Sequence, residues 1–246
     1  MRACETRAAW EALPLVDVAA VTGGAPFLVL SPHPDDESLG TGGLIAASVA
    51  AGVPVHVAVL TDGAGSHPRS RRVPPAALVA LRRRETAMAG AALGLRPDAL
   101  THLDLPDTRA PTQGPAFDEA VRRLLALADA AGARTVLTTW RHDPHCDHEA
   151  AAAMARAMRD ADPGLALWAY PIWGWHLDDE AEVDEAMPTG VRVDVTGWLD
   201  AKRAAIAAHV SQMTTLIDDD PEGFRFTPAL LAPFERHWEV LVKVPS

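Results

Sequence analysis

Four apolar runs with strand character alternate with segments of helical periodicity, and this alternation limits the fold more than any other feature. The segments Pro75 to Gly94 and Phe117 to Gly132 carry apolar residues at helical spacing. The four runs are PFLVLS (26–31), VPVHVAVLT (53–61), THLDL (101–105) and RTVLTTW (134–140). Continuous apolar strands between helices predict an α/β fold with a Rossmann-like, mostly parallel sheet flanked by helices on both faces.

The pattern is less regular after residue 160, but it continues without a linker or an internal repeat. We expect strands at LALWAYPIW (165–173), VRVDVT (191–196) and HWEVLVKV (237–244), and a helix at GWLDAKRAAIAAHVSQ (197–212). The chain has 246 residues, 48% of them hydrophobic, which is enough to bury one substantial core. The sequence therefore predicts a single domain over residues 1–246.

Charge and composition exclude several classes of partner. A formal net charge of -11 and a pI near 5.3 disfavour nucleic acid and anionic membrane surfaces, and the dense basic run RSRR (69–72) is too short to reverse this. No uncharged apolar run approaches the ~20 residues of a membrane-spanning helix. Glu5, Arg7 and Glu11 interrupt the apolar residues that a secretion signal would need. We expect a cytoplasmic protein without an integral membrane segment, and composition leaves a homo-oligomer open.

Two motifs rich in histidine and aspartate follow predicted strands. HPDDE (33–37) comes directly after FLVLS, and DPHCDH (143–148) comes directly after TVLTTW and before a helical run. In an open α/β sheet the ligand crevice lies beyond the carboxyl ends of the strands. The two motifs are therefore expected to lie together in that crevice.

The residue types in these motifs are those of a hydrolytic zinc site. Such a site uses three ligands from histidine and carboxylate side chains and leaves a fourth position for water. His33, Asp36 and His148 can supply the three ligands. A metal with an open position lowers the pKa of its water toward ~7, so a neighbouring carboxylate can take the proton, and Asp35 is that neighbour.

Simpler interpretations of the same residues exist. Asp35, Asp36 and Glu37 can be helix-capping residues that suit the helix dipole, and histidines three apart are often only solvated. The glycine-rich LGTGG (39–43) is weakly similar to a nucleotide loop, but it lacks the G-x-G-x-x-G spacing and follows charge that repels phosphate. The coincidence of two motifs at two strand ends favours the metal site.

The pair PHPDDE and HxDH (145–148) resembles the LmbE-like, or PIG-L, family of zinc-dependent N-deacetylases. This family includes the N-acetylglucosaminyl-phosphatidylinositol de-N-acetylases and bacterial deacetylases of thiol-cofactor and antibiotic biosynthesis. Residues 1–24 lie outside the resemblance. Further similar segments are LTDGAGSHP (60–68), LRRRETAMAGAALGL (81–95), LDLPD (103–107) and KRAAIAAHVSQ (202–212).

The resemblance implies a function and a role for each motif residue. It implies one Zn²⁺ per chain on His33, Asp36 and His148, with another divalent ion such as Fe²⁺ as the alternative. It makes Asp35 the general base toward zinc-activated water. It makes His145 a protonated group that stabilises the oxyanion and assists the leaving amine, held in its charged form by Asp147. The implied substrate is a small N-acetylated molecule, an N-acetylglucosamine-type sugar or glycoconjugate.

Several further residues are candidates for supporting roles. Arg82 and Glu85 form either a pair close to the metal centre or an ordinary helix ion pair. His209 is expected near the substrate pocket, although a histidine at a helix end also suits the dipole. Arg69 can meet an anionic substrate group or be an exposed loop arginine. Cys146 stands where the family often has proline, either as an adventitious ligand or oxidation site or as a small tolerated side chain.

Three loops are expected to select the substrate, at 66–75, 106–115 and 170–190. Two other functions remain open at this point. A non-catalytic sugar-binding module on the same fold would show no turnover of N-acetyl sugars. A metal-dependent phosphoesterase would hold a two-metal centre with more carboxylates from other strand ends.

Overall fold

A mixed β-sheet forms the centre of the molecule, for which the computed structural model describes residues 1–184 and 187–245. Positions 185, 186 and 246 lie outside the described residues. All three belong to the predicted domain, and 185 and 186 also belong to the predicted 170–190 loop. The strands of the described part are β1 (Leu15–Val16), β2 (Phe27–Ser31), β3 (Val55–Thr61), β4 (Leu100–Leu105), β5 (Thr135–Thr139), β6 (Ala166–Tyr170), β7 (Gly190–Asp194) and β8 (Trp238–Lys243).

The strand order is β1-β7-β8-β6-β5-β2-β3-β4. Strands β2, β3, β4, β5 and β6 form one parallel group. Strand β1 is parallel to β7, and β8 is antiparallel to both of its neighbours, β6 and β7. The predicted α/β fold with a mostly parallel sheet is confirmed. Every residue of β2 and β5 is buried, including the small polar side chains of Ser31 and of the three threonines of β5, which agrees with strands covered on both faces.

Helices cover both faces of the sheet. Phe27 and Val29 of β2 face a core shared with α3, α4 and α7, whereas Leu28 and Leu30 face a core shared with α5 and α6. This division follows from the alternation of side chains along a strand. The helices are α1 (Ala3–Ala12), α2 (Ala19–Thr22), α3 (Asp36–Ala50), α4 (Pro75–Ala92), α5 (Pro115–Ala131), α6 (Cys146–Ala161), α7 (Leu199–Ala208), α8 (Val210–Met213) and α9 (Pro228–Leu231).

Helix ends follow the predicted signals in most places. Helix α5 has Pro115 at its first position and ends at Gly132, which adopts the left-handed conformation with φ 65°. The helix predicted over 197–212 is instead divided, because His209 leaves the helical conformation with φ -80° and ψ 58°. The division lets α8 place Ser211 beside Glu85 of α4.

The N-terminal segment, for which no element was predicted, contributes a helix and an edge strand. Strand β1 pairs with β7 at the edge of the sheet. Trp10 of α1 is fully buried and packs edge-on against Trp140 and Trp175, with ring centroids 4.9 and 5.0 Å away. Within the described residues, no helix has both the length and the apolar character needed to cross a bilayer.

Candidate metal centre and active site

The two histidine-aspartate motifs meet at the carboxyl ends of β2 and β5. The first motif leads from β2 into α3, and the second leads from β5 into α6. Strands β2 and β5 are neighbours, and the chain continues from β2 to β3 on one side and from β5 to β6 on the other. This is the topological switch point of the sheet, where open α/β folds bind their ligands.

Three potential ligand atoms form a compact triangle at this point. His33 Nδ1 lies 3.2 Å from Asp36 Oδ2, and His148 Nε2 lies 3.3 Å from both of these atoms. Tetrahedral zinc with bonds of about 2.0–2.1 Å separates neighbouring ligands by about 3.3–3.4 Å. The triangle therefore fits one face of a zinc tetrahedron and leaves the fourth position open toward the cavity.

Asp143 orients His148 for metal binding. Its Oδ2 lies 2.9 Å from His148 Nδ1, and the carboxylate also accepts hydrogen bonds from Ile172 N at 2.9 Å and Gly174 N at 2.7 Å. The proton of the imidazole is thereby held on Nδ1, which leaves the lone pair of Nε2 for a metal. Sequence reasoning missed this role, although Asp143 opens the second motif.

Two carboxylates orient His33 in the same way. His33 Nε2 lies 3.1 Å from Asp147 Oδ2 and 3.4 Å from Asp107 Oδ1, which leaves Nδ1 directed at the triangle. Burial raises the pKa of the Asp107 carboxyl, but the hydrogen bond and charge of His33 outweigh burial and lower it overall. Asp107 was also missed; its signal was an acidic residue shortly after β4, at a third strand end.

Asp147 was expected to hold His145 in its charged form, and its charge does raise the pKa of His145, although burial outweighs this effect. Its carboxylate does not contact the His145 ring in the described structure; it accepts hydrogen bonds from His33 Nε2, from Thr108 N at 2.7 Å and from Ala110 N at 2.9 Å. The sequence could not show that the loop after β4 crosses this site. Asp147 therefore joins a metal ligand to the 106–115 loop.

His145 was expected to be protonated, and two features of the described structure favour the neutral ring. Its Nδ1 accepts a hydrogen bond from Asp147 N at 3.2 Å, which favours the tautomer with the proton on Nε2. Burial, together with the charges of His33 and His148, lowers the pKa of His145 to about 4. The ring lies edge-on to His33, with centroids 4.5 Å apart.

Asp35 lies beside the triangle in a strained backbone conformation. It precedes α3 with φ 142°, a value that non-glycine residues seldom adopt and that is typical of functional sites. The residue is buried, and burial raises the pKa of its carboxyl to about 7. A carboxylate with a pKa near neutrality is suited to take and return a proton.

Arg82 holds Asp35 in place, which corrects the expected Arg82–Glu85 pair. Its guanidinium donates to Asp35 Oδ2 at 3.0 Å, Pro34 O at 2.7 Å and Gly63 O at 3.0 Å. Glu85 instead accepts from Ser211 N at 2.8 Å and Ser211 Oγ at 2.7 Å. Arg82 and Glu85 lie on the same side of α4, but they bond different parts of the chain. Arg82 bonds Asp35, and Glu85 bonds Ser211.

The two candidate substrate-binding residues, His209 and Arg69, do not line the cavity that opens beside the triangle. His209 is fully buried, with Nε2 3.3 Å from Glu37 Oε1, so it acts beneath the motif rather than in the pocket. Glu37 in turn accepts from Asp35 N at 3.2 Å. Arg69 is two-thirds exposed and pairs with Glu222 at 2.7 Å, because an acidic loop lies against residues 69–72.

A cavity of about 190 Å³ opens beside the triangle. One side consists of Trp173, Phe224 and Phe226, which we term the aromatic wall. The Trp173 and Phe226 rings are parallel within 3°, with centroids 5.8 Å apart, and Phe224 lies edge-on to both. The remaining lining residues are His33, Asp35, Asp36, Gly65, Ser66, Arg82, Asp107, Thr108, His145 and Gln212.

Comparisons with known proteins relate most of the chain to one family. The family model PIG-L, described as GlcNAc-PI de-N-acetylase, matches residues 28–159, more than half of the chain. A 1D-myo-inositol 2-acetamido-2-deoxy-alpha-D-glucopyranoside deacetylase of Saccharomonospora viridis is 29% identical over 256 aligned positions, which cover 84% of this chain and 91% of the relative.

Solved structures show the same fold. The N,N'-diacetylchitobiose deacetylase of Pyrococcus horikoshii superposes with a TM-score of 0.65 at 19% identity, covering 98% of this chain and 90% of that one. The 4-carboxy-2-hydroxymuconate hydratase of Pseudomonas putida superposes with a TM-score of 0.59 at 23% identity, covering 75% of this chain and 78% of that one. Because a hydratase shares the fold, the activity has to be argued from the site.

Proposed function

This chain belongs to the PIG-L family, and we propose on that basis that it is a metal-dependent hydrolase that removes the N-acetyl group of an N-acetylglucosamine-type sugar or glycoconjugate. A relative that aligns with most of its length is a deacetylase of an acetamido sugar. The observation that carries the proposal is the triangle of His33, Asp36 and His148 with Asp35 beside it. A non-catalytic sugar-binding module has no need of a buried, strained carboxylate at that position.

The donor set supports Zn²⁺ as the metal, with Fe²⁺ as the alternative. Two imidazoles and one carboxylate with an open fourth position are typical of hydrolytic zinc sites. When bound, such a dication lowers the pKa of a water and polarises a carbonyl. Asp143, Asp107 and Asp147 fix the two histidines in the tautomers that a metal requires.

Asp35 is the proposed general base and the proposed proton donor to the leaving amine. It takes a proton from the attacking water as the water oxygen bonds to the acetyl carbon. It then delivers that proton to the amide nitrogen as the carbon–nitrogen bond breaks, which gives acetate and the free amine. Arg82 keeps one carboxylate oxygen fixed at 3.0 Å, so the other remains available for this transfer.

His145 is the proposed hydrogen-bond donor to the oxyanion. Its neutral ring presents Nε2–H, since Nδ1 is occupied by Asp147 N. A fixed donor aimed at the developing negative charge stabilises the transition state even without a full positive charge. The proposal thus keeps the residue that the family resemblance implied and changes its protonation state.

The cavity supports a neutral sugar as the group that carries the amide. Its volume of about 190 Å³ accommodates the acetyl group and part of a sugar ring, and the rest would extend through the opening. The aromatic wall offers apolar ring faces to the apolar face of a pyranose. Arg82 is the one Lys or Arg among the described residues that line the cavity, and it already bonds Asp35.

The test is acetate release by the metal-loaded enzyme. The panel comprises N-acetylglucosamine, its glycoside with inositol and N,N'-diacetylchitobiose, with a phosphate monoester and an unsaturated dicarboxylic acid as substrates for the competing activities. Asp35→Asn should lower kcat by about 10²–10⁴-fold. Asp98→Asn is the matched control, because Asp98 is exposed and pairs only with Arg96 in the described structure. Wild-type enzyme that releases no acetate, or that turns over the phosphate monoester instead, would overturn the proposal.

A further inference from the structure

Cys146 is the residue of the second motif that the proposed function does not use. It begins α6 between His145 and Asp147, and its side chain is exposed. Its Sγ lies 3.3 Å from Thr108 O and 3.7 Å from Asp147 Oδ1. One ligand atom from each of the three consecutive residues lies within 4.8 Å of the others.

We propose that His145, Cys146 and Asp147 form a second metal site, which binds soft divalent ions such as Cd²⁺ and inhibits the enzyme when it is filled. The inhibition rests on the proposed function, but the binding does not. None of the three residues belongs to the triangle of His33, Asp36 and His148, so both sites can be filled in one chain.

The donor set fits soft metals. A thiolate, an imidazole and a carboxylate are all ligands of Zn²⁺, and thiolate ligands favour softer ions over Mg²⁺ or Ca²⁺. Neighbouring ligands of such a tetrahedral centre lie about 3.3–3.8 Å apart, so the three side chains have to close by about 1 Å. Rotation of the exposed Cys146 side chain supplies part of this movement, and the half-buried His145 ring has to supply the rest. Binding forms a metal–sulfur bond and releases the thiol proton to solvent.

Occupation of this site removes His145 from its proposed role. A metal on Nε2 takes the nitrogen that donates to the oxyanion, and a metal on Nδ1 breaks the hydrogen bond from Asp147 N that fixes the ring. A metal on Asp147 also competes with the hydrogen bonds that order Thr108 and Ala110. The effects on His145 lower the rate without involving a ligand of the triangle.

The chain provides a matched pair of variants for the test, because it has two cysteines and neither forms a disulfide. Enzyme loaded with one Zn²⁺ is titrated with CdCl₂ without oxygen and with a phosphine reductant present. Wild type and Cys4→Ser should bind one additional Cd²⁺ per chain, develop the ultraviolet thiolate-to-Cd²⁺ absorption and lose acetate release. Cys146→Ser should lose the absorption, and its inhibition midpoint should rise by at least about 10-fold.

Three results would overturn the proposal. They are thiolate absorption that persists in Cys146→Ser, absorption that disappears in Cys4→Ser, and inhibition with the same midpoint in wild type and Cys146→Ser. Cadmium stoichiometry and absorption do not require turnover. If wild type releases no acetate, the proposed function fails while these two measurements still decide whether the second site exists.

Discussion

Replacement of Arg82 by methionine tests the assignment of Asp35 most directly. The substitution keeps an apolar stem of similar length in a buried position and removes the guanidinium 3.0 Å from Asp35 Oδ2. Burial raises the pKa of Asp35, and Arg82 opposes that effect. Without Arg82 the pKa of Asp35 therefore rises further, because the ionised form loses its cationic partner while the carboxyl stays buried.

The magnitude follows from the geometry. An opposite charge within about 4–6 Å of a carboxylate shifts its pKa by about 1–3 units. Only ionised Asp35 can act as the base, so the acidic limb of the kcat/KM profile should move up by about 1–3 pH units. At a pH below the acidic limbs of both enzymes, the activity of Arg82→Met should be lower than that of wild type by about 10-fold for each unit of that shift. The metal lowers the pKa of Asp35 in both proteins, so the difference between them remains.

Stability should fall as well, since loss of one member of a buried ion pair costs about 3–5 kcal/mol. The loss of stability should be smaller at a pH below the raised pKa of Asp35, where its carboxyl can become neutral. The pKa of Asp35 in the folded variant lies above that in the unfolded chain, so protonation favours the folded state. The stability of the variant should therefore decrease as pH rises from the unfolded-state pKa through the folded-state pKa.

The assay is acetate release from pH 5.5 to 9.5, with thermal unfolding over the same range. Arg83→Met is the control on the same helix, because Arg83 is partly exposed and pairs with Asp104 instead. Arg83→Met should leave the pH profile in place. The reasoning is refuted if Arg82→Met folds and binds metal but its acidic limb coincides with that of wild type.

Substitutions at three further positions test the other assignments. Asp143→Asn should weaken metal binding by about 10–100-fold in competition with a chelator, because His148 loses its carboxylate partner; unchanged affinity would contradict this role. His145→Gln should retain more of kcat than His145→Ala if a neutral donor suffices, and equal losses would restore the imidazolium interpretation. Trp173→Ala should raise KM for N-acetylglucosamine glycosides by about 2–10-fold with little change in kcat, and an unchanged KM would remove the aromatic wall from substrate binding.

Much of the sheet could be predicted because each central strand is buried on both faces. A strand such as β2 is then mostly apolar, and its apolar run over residues 27–30 is visible in the sequence. Helices α4 and α5 were equally visible from their spacing and their proline and glycine ends. The two-residue strand β1 and the short helix α1 carry no comparable pattern, since their contacts with β7 and Trp140 come from distant parts of the chain.

The functional site also has a part that could be predicted and a part that could not. The ligand triangle could be predicted because two strand ends of a parallel sheet bring His33 and His148 together without any knowledge of side-chain direction. The hydrogen-bond partners of the site residues could not be predicted, because they depend on the direction in which each side chain points between neighbouring elements. Arg82 and Glu85 are neighbours on α4, yet one bonds Asp35 and the other bonds Ser211, each more than 40 residues away in sequence.

The arrangement of acidic groups makes this crevice suited to a dication. Asp36 faces both histidines of the triangle, while Asp143 and Asp147 each contact one histidine on the opposite ring nitrogen. Burial alone would lower the pKa of His148, but the charge of Asp36 and the hydrogen bond to Asp143 raise it to about 9. Without metal, protons therefore take the place of the missing positive charge. A metal has to displace those protons, so the carboxylates that orient the two histidines also make metal affinity increase with pH.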